Sequence, residues 1–91
     1  MRNIVLVYDI TDDKRRLKLF KTLEGFGTPV QLSVFECSLS DTNLLIMKRK
    51  VEKIIEKEDS VILYELCPRC LQKIERLGTV KRVLQDDLIV V

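Results

Sequence analysis

The hydrophobic pattern of the chain switches between two periods. Residues 3–9, "NIVLVYD", are apolar on both sides of an extended backbone: Ile4, Leu6 and Tyr8 point one way, Val5 and Val7 the other. β-branched residues at a period of two over this length predict a strand. From Asp12 to about Phe26 the period lengthens. Leu17, Phe20 and Leu23 stand three apart, flanked by Leu19 and Phe26, with lysines and arginines between them. That spacing predicts an amphipathic helix, ended by Gly25 and Gly27. "TPVQLSVFECSL" is β-rich and fits either one long strand or two short ones in a tight hairpin. Ser40 suits the N-cap of a second helix, with Asp41 favourable in its first turn. Leu44, Met47, Val51, Ile54 and Ile55 mark the buried stripe of that helix. "SVILYEL" reads as another strand, "CPRCLQKIERLG" as a short turn-like helix, and "TVKRVL" and "DLIVV" as two further short strands.

This order predicts an α+β sandwich of ferredoxin-like βαββαβ type. Residues 1–91 make one domain, and about 79–91 form an extra C-terminal strand segment. Two helices cover only one face of such a sheet. Yet "IVLVY" and "VILYEL" are apolar on both faces, where a solvated second face would alternate with polar residues. A symmetric homodimer packed sheet to sheet supplies the missing cover, with "DLIVV" adding to the edge of the partner's sheet. The alternative is a monomer whose tail folds back over its own sheet.

Composition narrows the class. A chain of 91 residues with 46% hydrophobic and 33% charged residues is a small globular domain rather than a disordered one. Its longest apolar runs, "IVLV" and "LIVV", fall far short of the roughly 20 residues that span a bilayer, so no membrane is expected. The start lacks the long apolar core and small-residue cleavage site of a secretory signal, so a cytoplasmic protein is expected. Net charge is only +2, but Lys14, Arg15, Arg16, Lys18 and Lys21 cluster, as do Lys48, Arg49, Lys50 and Lys53, and Arg69, Lys73, Arg76, Lys81 and Arg82. Such clusters serve either as solvated helix faces or as a phosphate-binding surface. There is no histidine, which removes imidazole catalysis and Ser-His or Cys-His nucleophiles. A nuclease built from this chain would use carboxylates, a divalent cation and water.

The candidate chemistry lies in "YDITDD". Asp12 and Asp13 sit where acids satisfy orphan amides at a helix start. Asp9 differs: it ends the first strand on the side of Val5 and Val7. A charge there is costly unless it is paired, hydrogen-bonded or metal-bound. One carboxylate holds Mg²⁺ poorly, but a two-fold axis nearby would bring two copies of Asp9 together. The other reading has Asp9 hydrogen-bonded to local backbone amides. Arg15 and Arg16 oppose the helix dipole, so they either pair with Asp12 and Asp13 or hold phosphates beside Asp9. "CPRC" has the spacing of half a zinc site or of a redox pair. Its simplest reading is a tight surface turn with buried thiols, since one pair and a distant Cys37 do not complete a zinc site.

Taken together, "NIVLVYDITDDKRRLKLFKTLEGFG", "VQLSVFECSL" and "DSVILYELCPRC" resemble the CRISPR-associated adaptation endonuclease family, the smaller of the two near-universal spacer-acquisition proteins. The resemblance covers essentially the whole chain. It implies a ferredoxin-like homodimer in which Asp9 of each copy shares one Mg²⁺ (or Mn²⁺). It also implies a metal-dependent endonuclease on RNA or double-stranded DNA, and a scaffold for the CRISPR integrase, the Cas-one type partner. Tyr8, Arg16, Ser33 and Phe35 match positions that the family associates with activity or site shape. Lys14, Arg15, Arg16 and Lys18 are the expected nucleic-acid contacts. Pro29 stands where some members carry a basic residue. A non-catalytic DNA-clamping subunit and a toxin-like RNA interferase are the alternative functions.

Overall fold

The computed structural model describes residues 1–78. Its elements run β1 (Arg2–Asp9), α1 (Asp13–Leu23), β2 (Thr28–Gln31), β3 (Val34–Leu39), α2 (Asp41–Ile54), β4 (Ser60–Leu66) and α3 (Pro68–Gln72). The four strands form one antiparallel sheet in the order β2-β3-β1-β4, and α1 and α2 cover one face. This is the expected βαββαβ sandwich. The strands expected at 79–84 and 87–91, and the partner-contacting segment at about 79–91, lie outside the described residues.

β1 is the central strand, paired with β3 on one side and β4 on the other. Its inward side chains, Ile4, Leu6 and Tyr8, are all buried beneath the helices. Register places Leu6 between Phe35 and Leu63, and Ile4 beside Cys37, so one apolar layer runs across three strands. Leu44, Met47, Val51 and Ile54 close that layer from α2, as their spacing predicts. In α1 the buried pair is Leu19 and Leu23, four residues apart, whereas Leu17 is 54% exposed. Of the expected stripe only Leu17 turns away: Leu23 and the flanking Leu19 are buried, and Phe20 and Phe26 pack against the core. Both helices start as expected: the Asp12 carboxylate accepts from the Arg15 amide at 2.9 Å, and the Ser40 hydroxyl from the Asn43 amide at 3.1 Å.

The region left open between one strand and two is a hairpin. β2 and β3 join through Leu32 and Ser33, and Ser33 adopts a positive φ of 64°. That left-handed conformation reverses the chain in two residues, at a steric cost for any side chain.

The outer face is only partly covered. Beyond α3, residues Ile74 to Leu77 border a groove with Val30, Val34 and Glu36. There Arg76 donates to both carboxylate oxygens of Glu36 at 2.8 and 3.0 Å, and each side chain is about nine-tenths buried. Residues 74–77 therefore lie over the β2–β3 half of the sheet, while the tail expected to fold back, about 79–91, lies outside the described residues. Among the described residues nothing covers the β1–β4 half, where Ile62 is 46% and Tyr64 53% exposed beside Val5 and Val7.

One glycine is required by close packing. A Cβ on Gly27 would meet the Cys37 sulfur at 2.4 Å and the Glu36 carbonyl oxygen at 2.5 Å, whereas one on Gly25 meets only a carbonyl at 3.4 Å. Gly27→Ala is expected to destabilise the fold by about 1–3 kcal/mol in chemical denaturation, with Gly25→Ala near neutral. Equal effects at the two positions would contradict this packing.

Candidate functional site

The carboxyl end of β1 brings the expected residues together in sequence and divides them between the two faces of the sheet. Asp9 closes the strand opposite Ser60 of β4 and is exposed on the outer face, in line with Val5 and Val7. Among the described residues its carboxylate has neither a hydrogen-bond nor an ion-pair partner, so the alternative of local backbone amides is not realised. Within one chain solvent meets the cost of the charge. No group of three or more carboxylates or thiols able to hold a metal ion occurs among the described residues.

Tyr8 points the opposite way and is buried. Its amide donates to the Ser33 carbonyl at 3.1 Å, and its side chain and Ser33 line the same cleft. Burial pushes the phenol above its ordinary pKa, and Ser33 and the positive Arg16 only partly offset this. Tyr8 is thus a neutral hydrogen-bonding group at neutral pH. Phe35 is fully buried behind it, with ring centroids 6.4 Å apart, and meets Phe20 edge-on at 5.3 Å. It supports Tyr8 without reaching solvent. A shallow cleft of about 240 Å³ opens over Tyr8 and Ser33, bordered by Asp13, Arg16 and Leu17.

The two arginines of α1 are held by acids. Arg15 makes a two-pronged contact with Asp59, through Nε at 2.8 Å and Nη2 at 3.1 Å, with Glu58 at 3.7 Å and Asp12 at 4.0 Å. Asp59 also accepts from the Glu56 amide at 2.8 Å, and its side chain is 1% exposed. This contact ties the start of α1 to the loop before β4. Nothing in the sequence signals a partner 44 residues away. Arg16 pairs with Asp13, the bland use expected of it, and donates to the Ile10 carbonyl at 3.0 Å. Lys14 and Lys18 are exposed.

Two basic clusters that are distant in sequence meet instead between the helices. Lys18 and Lys21 of α1 face Lys50 and Lys53 of α2 across a groove of about 530 Å³ floored by Phe26 and Ile54. All four are exposed and none is ion-paired among the described residues. The Lys50 ammonium lies 5.6 Å from the centre of the Phe26 ring. Both clusters are visible in the sequence, but their convergence depends on how α1 packs against α2.

Fold and site together define a ferredoxin-like α+β domain with a lone carboxylate at the exit of its central strand and a basic groove on its helical side. The model of the family "CRISPR associated protein Cas2" matches residues 1–74. This chain belongs to that family. A protein of Methanospirillum hungatei named "CRISPR-associated endoribonuclease Cas2 2" is 41% identical over 80 residues, covering 88% of this chain and 90% of the relative. The crystal structure of Streptococcus pyogenes Cas2 superposes with a TM-score of 0.73 at 29% identity, over 84% of this chain and 99% of that one. A chain of a structure titled "Partial Cas6-RT-Cas1--Cas2 complex" superposes with a TM-score of 0.76 at 28% identity, over 85% of each. Among the described residues no helix is long and apolar enough to cross a membrane.

The Arg15 hydrogen bonds, aided by the Glu56 amide, hold Asp59 below its ordinary pKa of 3.8. Because the folded value lies below the unfolded one, this contribution to stability is complete above about pH 4 and is lost as pH falls through the folded value. Wild-type thermal stability is therefore expected to drop more steeply below about pH 4 than that of Asp59→Asn. Parallel acid-side profiles for the two proteins would remove the pair from the account.

Proposed function

We propose that this protein acts in CRISPR spacer acquisition as a homodimeric, metal-dependent endonuclease on RNA or double-stranded DNA. The observation that carries this reading is the position of Asp9. It is a carboxylate without a partner among the described residues, at the edge of an apolar patch, Val5, Val7, Ile62 and Tyr64, that those residues leave uncovered. A second copy packed on that patch by a two-fold axis brings its own Asp9 to the same edge. The endoribonuclease name of the relatives and the partnership named in the complex structure support the reading. By the same likeness the dimer works beside a Cas1 integrase.

The donor set fits a hard cation. Mg²⁺ or Mn²⁺ takes oxygen ligands and keeps several waters, so two carboxylates brought together at a dimer axis would hold one better than a single carboxylate does. When bound, such an ion polarises a phosphodiester and lowers the pKa of a bound water. The chain's own groups do the positioning. Tyr8, neutral and fixed by Ser33, offers a hydrogen bond beside the strand end, and Phe35 keeps its ring in place. Lys14 and Lys18 attract backbone phosphates, and the groove of Lys18, Lys21, Lys50 and Lys53 extends that surface over the helices. Arg15 and Arg16 contribute more to holding α1 in place than to holding phosphates, since acids already satisfy them.

A second reading has the dimer clamp DNA for the integrase, with Asp9 structural; the exposed basic groove favours it because lysines bind backbone without cutting it. Asp9→Asn separates the two. Under the nuclease reading the purified wild-type protein cleaves RNA or duplex DNA in Mg²⁺ and the variant loses about 100-fold or more in rate. Equal cleavage by both proteins would remove the Asp9 mechanism. Binding without cleavage by both would favour the clamp.

A further inference from the structure

The turn between β4 and α3 carries "CPRC", and the expectation of buried thiols there is not met. Cys67 and Cys70 are both exposed, and Cys37 is the buried cysteine of the three. Cys67 occupies the N-cap of α3 in an extended conformation, followed by Pro68. Its sulfur accepts from the Cys70 amide at 3.4 Å, which sets the two cysteines side by side at the turn. Proline fixes φ at the first helical position, so the turn that brings the Cys67 sulfur to the Cys70 amide is preset. Neither thiol takes part in the chemistry at the end of β1.

We propose that Cys67 and Cys70 form a reversible dithiol–disulfide site, oxidised by a low-molecular-weight disulfide of the glutathione class, with Cys67 the attacking sulfur and Cys70 the resolving one. In the first step the Cys67 thiolate attacks one sulfur of the small disulfide. A Cys67–S–S–R bond forms, the small molecule's S–S bond breaks, and RS⁻ leaves and takes up a proton. Cys70 then loses its proton and attacks the Cys67 sulfur, which closes the Cys67–Cys70 bond and expels the second RS⁻. Two protein thiols are oxidised by two electrons and the small disulfide is reduced to two thiols.

Geometry and acidity assign the roles in the same direction. The Cys70 amide and the Cys70 side chain both stabilise a Cys67 thiolate and lower its pKa. The neighbouring Cys67 side chain raises the pKa of Cys70. Residues three apart on a helix have Cβ atoms about 5–6 Å apart, and a disulfide needs roughly 3.5–4.5 Å. A small backbone shift of the cap, which an N-cap residue with non-helical φ and ψ permits, closes that gap, and rotation about Cα–Cβ then brings the sulfurs together. Cys37 cannot compete, because burial pushes its thiol up to about 11 and removes it from solvent.

The full-length protein tests this directly. It is equilibrated with graded ratios of oxidised to reduced glutathione, quenched in acid, alkylated and read by mass spectrometry. The expected product has lost two hydrogens, with the bond mapped to Cys67–Cys70 and Cys37 still a thiol. Cys70→Ser is expected to stop at a glutathione adduct on Cys67. Cys67→Ser, which keeps a good capping side chain, is expected to form the adduct on Cys70 about tenfold more slowly at pH 7. Three outcomes would overturn the proposal: faster reaction at Cys70, no internal disulfide at the most oxidising ratio, or stoichiometric zinc that must be stripped before either thiol reacts.

Discussion

The structure depends on one strand being apolar on both sides. β1 is hydrogen-bonded along both edges and carries Ile4, Leu6 and Tyr8 inward with Val5 and Val7 outward. The inner demand is met within the chain: α1 and α2 bury the first three side chains, and Phe35, Leu19 and Met47 are driven to zero exposure around them. The outer demand is met by halves. The Arg76–Glu36 pair anchors residues 74–77 over β2 and β3, while Ile62 and Tyr64 of β4 remain at the surface beside β1. A buried ion pair gains less from its attraction than it loses in hydration unless its geometry is good, and the two-pronged contact here meets that condition. The tail beyond residue 78, one of the two covers posed from the sequence, lies outside the described residues, and the other, a second copy, is the cover proposed for the β1–β4 half.

The same constraint places the chemistry. Asp9 is where β1 stops being apolar, so the proposed dimer surface and the proposed metal ligand are consecutive along one side of one strand. Its neighbour Tyr8 belongs to the opposite face and is tied to Ser33 across the hairpin end. Asp9 faces the uncovered patch, and Tyr8 a cleft whose rim includes Arg16. Residues grouped in sequence as one site therefore approach the strand end from two sides.

Much of this was legible beforehand, for identifiable reasons. Element types and the helix starts at Asp12 and Ser40 rest on local periodicity and side-chain-to-backbone bonds, which a sequence records directly. The separation of Asp9 from Asp12 and Asp13 followed from the same local logic. What could not be read were contacts made by packing. Arg15 meets Asp59 and Arg76 meets Glu36 across 40 residues or more, and four lysines from two helices that are distant in sequence line one groove. Within the α1 stripe only Leu17 was misplaced, because Leu17 and Leu19 are both leucines and composition cannot say which faces the sheet. The hairpin was undecided because Ser33 adopts a backbone conformation ordinarily associated with glycine.

The central claim is that a second copy completes the β1–β4 half of the outer face. Light scattering of the purified protein at micromolar concentration, compared with Ile62→Glu/Tyr64→Glu, tests it most directly. Both side chains are about half exposed in the single chain, so the substitutions leave the inner core intact. The wild-type protein is expected at twice the chain mass of 10.6 kDa, and the double variant, still folded by circular dichroism, at the single mass. A wild-type protein that is monomeric at that concentration, or a double variant that stays fully dimeric, would contradict the account.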